Sequence, residues 1–185
     1  MTDFHTEPSN ESPYSGTHRA GDAARAQSSG QLNVTVRELS RDESIAILAR
    51  HHLGRVGITF HDHLRVKLCN YLYSEHWIYA RAELGDDLVM AEHHPWAAFE
   101  VDEIDGILDW RSVEVRGAIE FLSSDLHSPD WFEFENAVRL LRSAVPEILR
   151  AGDPMPQSIH LVRIHVDEIA GRESRVGNPR PLPQP

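Results

Sequence analysis

PWAAFEVDE (residues 95–103) and WRSVEVRG (residues 110–117) are the runs on which the reading of this chain turns. Both have strand character. They are expected to form strands over Trp96–Glu103 and Ser112–Leu122, joined by a loop over Ile104–Arg111. Strand alternation sets Glu100 and Asp102 on one face and Glu103 on the other. The acidic run Glu100, Asp102, Glu103 and Asp105 is open to two readings: a cation site or catalytic base, or a solvated or ion-paired strand edge.

Working upstream, three further strand-like runs follow one another closely: Arg55–Phe60, Leu64–Tyr73 and Trp77–Ala82. Their connections, His61-Asp62-His63 and Ser74-Glu75-His76, are short and polar, as antiparallel hairpins require. Ser40 followed by Glu43 is a capping-box signature, so a helix is expected from there, with Gly54 as its stop. A short helix is expected at Asp86–His94. Downstream, the apolar spacing of Phe134, Val138, Leu141 and Val145 predicts a helix over Trp131–Arg150, broken at Pro146. Ser158–Val166 reads as a closing strand. Short antiparallel strands with helices at their ends predict a mainly β fold, a small barrel with flanking helices.

The chain has 185 residues, enough for one domain of ordinary size plus tails. Residues 1–33 are polar and poor in aromatics, so a disordered tail is expected there, a domain over 34–172, and a proline-rich tail over 173–185. A formal net charge of −11 argues against broad binding to nucleic acid or to an anionic membrane. The single cysteine, Cys69, excludes an intrachain disulfide and a multi-cysteine metal site. No apolar run reaches the ~20 residues of a membrane span, and the N-terminal residues lack the apolar stretch of a signal peptide. The expected compartment is the cytoplasm.

In this order the motifs resemble those of the pyridoxamine-phosphate-oxidase-like split-barrel superfamily, above all its small flavin-nucleotide-binding and nitroimidazole-resistance-like members. That family shows Asn-Pro-x-Val-x-Phe-Glu-Val-Asp followed by Trp-x-Ser-Val-x-Val-x-Gly. Here residues 95–103 and 110–117 stand in those places, and the resemblance runs from Leu39 to about Arg172. It implies an antiparallel FMN-binding split β-barrel, a homodimer with two FMN sites at the subunit interface. By position, the strand Arg65–Asn70 would run along the flavin edge, with Cys69 and Asn70 at its end. Tyr79 and Ala80 would lie near the ring or ribitol chain, and Ser112 would offer a polar contact. Arg65, Lys67 and Arg81 would neutralise the phosphate. Trp110 is either a plug under the flavin or an interface aromatic. Arg65, Lys67, Cys69, Tyr71 and Tyr73 share one strand face, which is either exposed or turned to the cofactor.

One departure stands out. Where the family carries a Lys or an Arg-Lys pair for the flavin phosphate, this chain has Gly85-Asp86-Asp87-Leu88. At ~4 Å and an effective dielectric near 20, each unit pair of like charges costs on the order of 4 kcal/mol before relaxation. The first functional expectation is an FMN-dependent oxidoreductase acting on a small-molecule substrate or electron acceptor, with no side chain nominated as acid or base. In such chemistry the protein supplies binding and orientation. The alternatives are a non-enzymatic dimeric binding module that has lost the phosphate site, a deazaflavin in place of the flavin, or haem binding. Haem is suggested by twelve histidines, clustered at His51-His52, His61-x-His63 and His93-His94. Adjacent histidines point apart and chelate poorly, so no metal is expected.

Overall fold

The computed structural model describes residues 33–60, 63–82, 96–154, 156 and 160–177. Eight strands and two helices follow in chain order. They are β1 (Asn33–Leu39), α1 (Arg41–Arg50), β2 (Leu53–Phe60), β3 (His63–Ser74), β4 (Trp77–Ala82), β5 (Trp96–Gly106), β6 (Asp109–Leu122), α2 (Trp131–Ala144), β7 (His160–His165) and β8 (Glu168–Gly177). All pairings are antiparallel, in the order β1-β8-β6-β5-β2-β3-β4-β7, and a β6–β7 pairing closes the ring. β8 and β1 continue the sheet outward from β6. No helix among the described residues is long and apolar enough to cross a membrane.

Alternation builds the interior. Val56 and Ile58, Cys69 and Tyr71, Ile78 and Ala80, Phe99 and Val101, Val113 and Val115, and Val162 and Ile164 all point inward and are buried. The Phe99 ring meets Tyr71 edge-on, with centroids 4.7 Å apart. It lies so close to Gly54 that a Cβ there would come within 2.3 Å of its Cζ, which is why glycine occupies that position. α1 contributes Ile47 and Leu48 to the same core, and the Tyr71 hydroxyl donates to the Leu48 carbonyl at 3.0 Å. A second apolar layer lies outside the ring. There Leu72, Tyr79 and Leu161 meet Ala137, Val138 and Leu141 of α2.

α1 starts as expected: Ser40 Oγ accepts from the Glu43 amide and the Glu43 carboxylate accepts from the Ser40 amide. It ends earlier than expected, at Arg50, because His51 is extended, and Gly54 lies inside β2. The expected loop over residues 104–111 is a tight hairpin instead. β5 runs to Gly106 and β6 begins at Asp109, with a register irregularity between Ile104 and Gly106. α2 stops at Ala144, ahead of Pro146. The domain limit at 172 is corrected: β8 continues to Gly177, and β1, unforeseen as a strand, pairs with it from Asn33. The expected helix at 86–94 and the 61–62 turn lie outside the described residues, as do the tails up to 32 and from 178.

Ion pairs fasten β1, α1, β6 and β8 together. Glu173 accepts from Arg37, Arg111 and Arg175, each at 2.7 Å, while Glu103 accepts from Arg50, His51 and Arg111. The Arg37 guanidinium holds Glu43 at about 2, and Arg50 leads in holding Glu103 at about 2, against an ordinary value of 4.5. Glu173 is lowered too, chiefly by Arg111. Because these folded values lie below the unfolded ones, their stabilisation is complete above the unfolded carboxylate range and lost as pH falls through the folded values. Thermal melts are expected to be flat near neutrality and to fall steeply between pH ~4.5 and ~2, more shallowly in Glu103→Gln. An equally steep acid limb in that variant would count against the network.

Candidate flavin-binding site

The hydrogen-bonding of β3 changes along its length. Residues His63–Asn70 pair with β2, and only Asn70–Ser74 pair with β4. Over residues 63–69 no described strand lies on the second edge. Among the described residues the ring is therefore open beside Arg65–Cys69, a strand edge along which a planar ligand with its own donors and acceptors can align. Arg65 is exposed and Lys67 half-buried on this stretch, both on the inward-facing side but beyond the limit of the packed core. Leu64, Val66 and Leu68 occupy the opposite side and are 71%, 59% and 59% exposed.

The expected site residues fall into three groups. Arg65, Lys67 and Asn70 lie on or at the end of the split edge. Cys69, Tyr79 and Ala80 turn their side chains away from it, and the main chain of Tyr79 and Ala80 is already paired on both sides, with β3 and β7. The Cys69 thiol is in the core, donates weakly to the Gly54 carbonyl at 3.7 Å, and is pushed up to about 12 by burial. It is thus a neutral packing group at physiological pH. Tyr79 packs against α2, where its hydroxyl accepts from Asn136 at 3.4 Å, and burial raises its pKa. Ala80 is inside the ring.

Arg81 requires a correction. Expected as a phosphate partner, it is only 1% exposed, on the outer side of β4, and makes a two-point ion pair with Asp153 at 2.8 and 2.6 Å. Alternation puts Arg81 on the Tyr79 side, and the segment following α2 carries the carboxylate over it. Asp86 and Asp87 lie outside the described residues.

Trp110 and Ser112 form the third group, on the outward face of β6 with Glu114. The Ser112 hydroxyl donates to Glu100 at 3.2 Å, and Arg55 meets Asp102 at 3.0 Å, so part of the acidic strand end is ion-paired. In the ring order β6-β5-β2-β3, β6 stands opposite β3. Three strand spacings amount to roughly 14 Å along the sheet, so one chain does not bring Trp110 and Ser112 to the split edge. Between them lies an apolar outer face. It comprises Leu64, Val66 and Leu68 of β3, Leu53 of β2 and Ile104 of β5, with grooves of about 210 and 220 Å³ along it. The separation of the two sets and this exposed face were not legible as a pattern of residues; they follow from strand order.

Comparison with known proteins agrees with this architecture. Residues 40–173 match the family described as pyridoxamine 5'-phosphate oxidase, and the chain belongs to that family. The fold is similar to that of a FAD-binding protein from Mesorhizobium loti (24% identity, TM-score 0.58, covering 75% of this chain and 97% of that one). It is also similar to the FAD-binding protein of Mycobacterium smegmatis (24%, TM-score 0.53, 75% and 98%). A FAD- and haem-binding protein of the same organism shares it as well (18%, TM-score 0.51, 76% and 74%). No curated protein matches the sequence.

Proposed function

We propose that the chain is a homodimeric flavoprotein that binds FMN along the split edge of β3 and passes electrons or hydride to a small molecule. The observation that carries this reading is the split edge itself, with Arg65 and Lys67 beside it. Its chemistry fits a flavin nucleotide: main-chain groups suit the polar edge of the ring, and two cations suit a phosphate. When bound, the flavin supplies the redox chemistry. The main chain of Arg65–Asn70 holds the ring, and Arg65 and Lys67 neutralise the phosphate. The dimer follows from the same geometry, since a second copy packed on the apolar face of β2, β3 and β5 would bring its own Trp110 and Ser112 toward this edge. Large exposed apolar faces mark such interfaces.

The test is the visible spectrum of the purified protein after FMN is added and free flavin removed, with light scattering for mass. A retained flavin spectrum on a dimer is expected; a colourless monomer would overturn the reading. Arg65→Gln is expected to weaken FMN about ten- to a hundredfold, the scale of one lost hydrogen bond to a charged group, while changing riboflavin affinity little. Equal losses for both ligands would remove Arg65 from the phosphate.

A further inference from the structure

On the far side of β6 from Trp110 and Ser112, a cavity of about 390 Å³ lies among α1, β1, β6 and β8. Arg37, Arg50, Arg111 and Arg175 line it, with Glu43 and Glu173. Four guanidinium groups against three carboxylates, counting the Glu103 that pairs with Arg50 and Arg111 from outside the lining, leave a net positive hollow in a chain of net charge −11. The arginines are not used alike. Arg37 spends its terminal nitrogens on Glu43, and Arg111 gives Nη1 to Glu103. Arg50 and Arg175 are anchored through Nε alone, to Glu103 and Glu173 respectively, and among the described residues their terminal nitrogens have no acceptor. A network that served only to fasten α1 and β1 to β8 needs none of those terminal N–H groups. Guanidinium forks held in place at Nε are pre-oriented for a planar or tetrahedral oxyanion.

We infer that this cavity binds a small dianion, a phosphate monoester or dicarboxylate, between the terminal nitrogens of Arg50 and Arg175. The volume equals that of about thirteen waters in the liquid, room for the charged group with a short organic remainder. This inference does not rest on the flavin reading, because β3 stands across the ring from β6.

Calorimetric titration of the full chain with inorganic phosphate, and separately with malonate, at an ionic strength fixed by chloride, tests it. One anion per chain is expected for at least one probe, with a Tm rise of about 3 °C at tenfold the Kd. The probe that binds more tightly assigns the class. Arg50→Gln with Arg175→Gln is expected to lower affinity at least tenfold, whereas Arg139→Gln with Arg150→Gln, which removes the same charge elsewhere, leaves it unchanged. If the first pair fails to fold, Arg175→Gln alone carries the test, since that side chain is 55% exposed. No heat beyond the chloride control, or undiminished affinity in the Arg50/Arg175 variants, would overturn the inference.

Discussion

Gly117→Ala is expected to lower Tm by roughly 6–12 °C or to abolish soluble expression, the steepest effect available from a single methyl group in this fold. Gly117 lies in β6 just before that strand passes from β5 and β8 to its pairing with β7, the contact that closes the ring. A Cβ there would stand 1.7 Å from the His165 carbonyl oxygen and 2.8 Å from its carbon. Both obstacles are main chain, so no side-chain rotation relieves them. The end of β7 would have to move by more than about an ångström, carrying Asp167, which accepts from the Ala118 amide at 3.1 Å. Overpacking of side chains costs about 1–3 kcal/mol, and a main-chain collision lies at or beyond the top of that range. At about 2–4 °C per kcal/mol for a domain of this size, the Tm shift follows. Gly57→Ala is the control, because its Cβ would meet nothing closer than 3.7 Å. A Gly117→Ala protein melting within 2 °C of the Gly57→Ala protein would refute the account of ring closure.

The second large effect is at Asp153. Its carboxylate takes two hydrogen bonds from a guanidinium that is 1% exposed, and it also accepts from the Leu149 amide at 2.9 Å. Asp153→Ala leaves Arg81 charged and buried without its two-point acceptor. Removing one partner of a buried pair costs about 3–5 kcal/mol, whereas replacing both by apolar groups of similar volume is often neutral. Denaturant unfolding is therefore expected to show about that loss in Asp153→Ala, and recovery of most of it when Arg81→Met is added. The double variant also tests the corrected role of Arg81. Its FMN affinity is expected to match the parent's, and a tenfold loss would return Arg81 to the flavin phosphate.

The barrel strands were legible because burial on one side writes itself as alternation. Val56 and Ile58, Phe99 and Val101, and Val113 and Val115 each mark an inner face directly. β8 was not legible, for the opposite reason: among its buried residues are Glu173 and Ser174, which read as surface. Glu173 is accommodated by arginines from β1, β6 and β8, and Ser174 by the Leu108 carbonyl at 2.8 Å. Apart from Arg175, none of those partners is near in sequence. The site shows the same division. Arg65 and Lys67 were nominated from strand position and family likeness, and strand pairing places them on the open stretch of β3. The fate of Arg81 depended on an aspartate far along the chain, and the separation of Trp110 and Ser112 from the split edge depended on strand order.

The strand β1 sets where the native state loosens first. It is exposed at nearly every position, and among the described residues it pairs only with β8, from the opposite end of the domain. Such a contact closes a loop that spans nearly all the described residues while burying little apolar surface. It is expected to form late and open early, with the six-stranded ring left in place, and hydrogen exchange of the β1 amides faster than that of β5 and β6 would check this. Because Arg37 departs with it, this fraying removes one wall of the arginine-lined cavity. Fraying of β1 is expected to cost far less than global unfolding, and an anion held between Arg50 and Arg175 would leave the neighbouring Arg37–Glu173 pair with less reason to part.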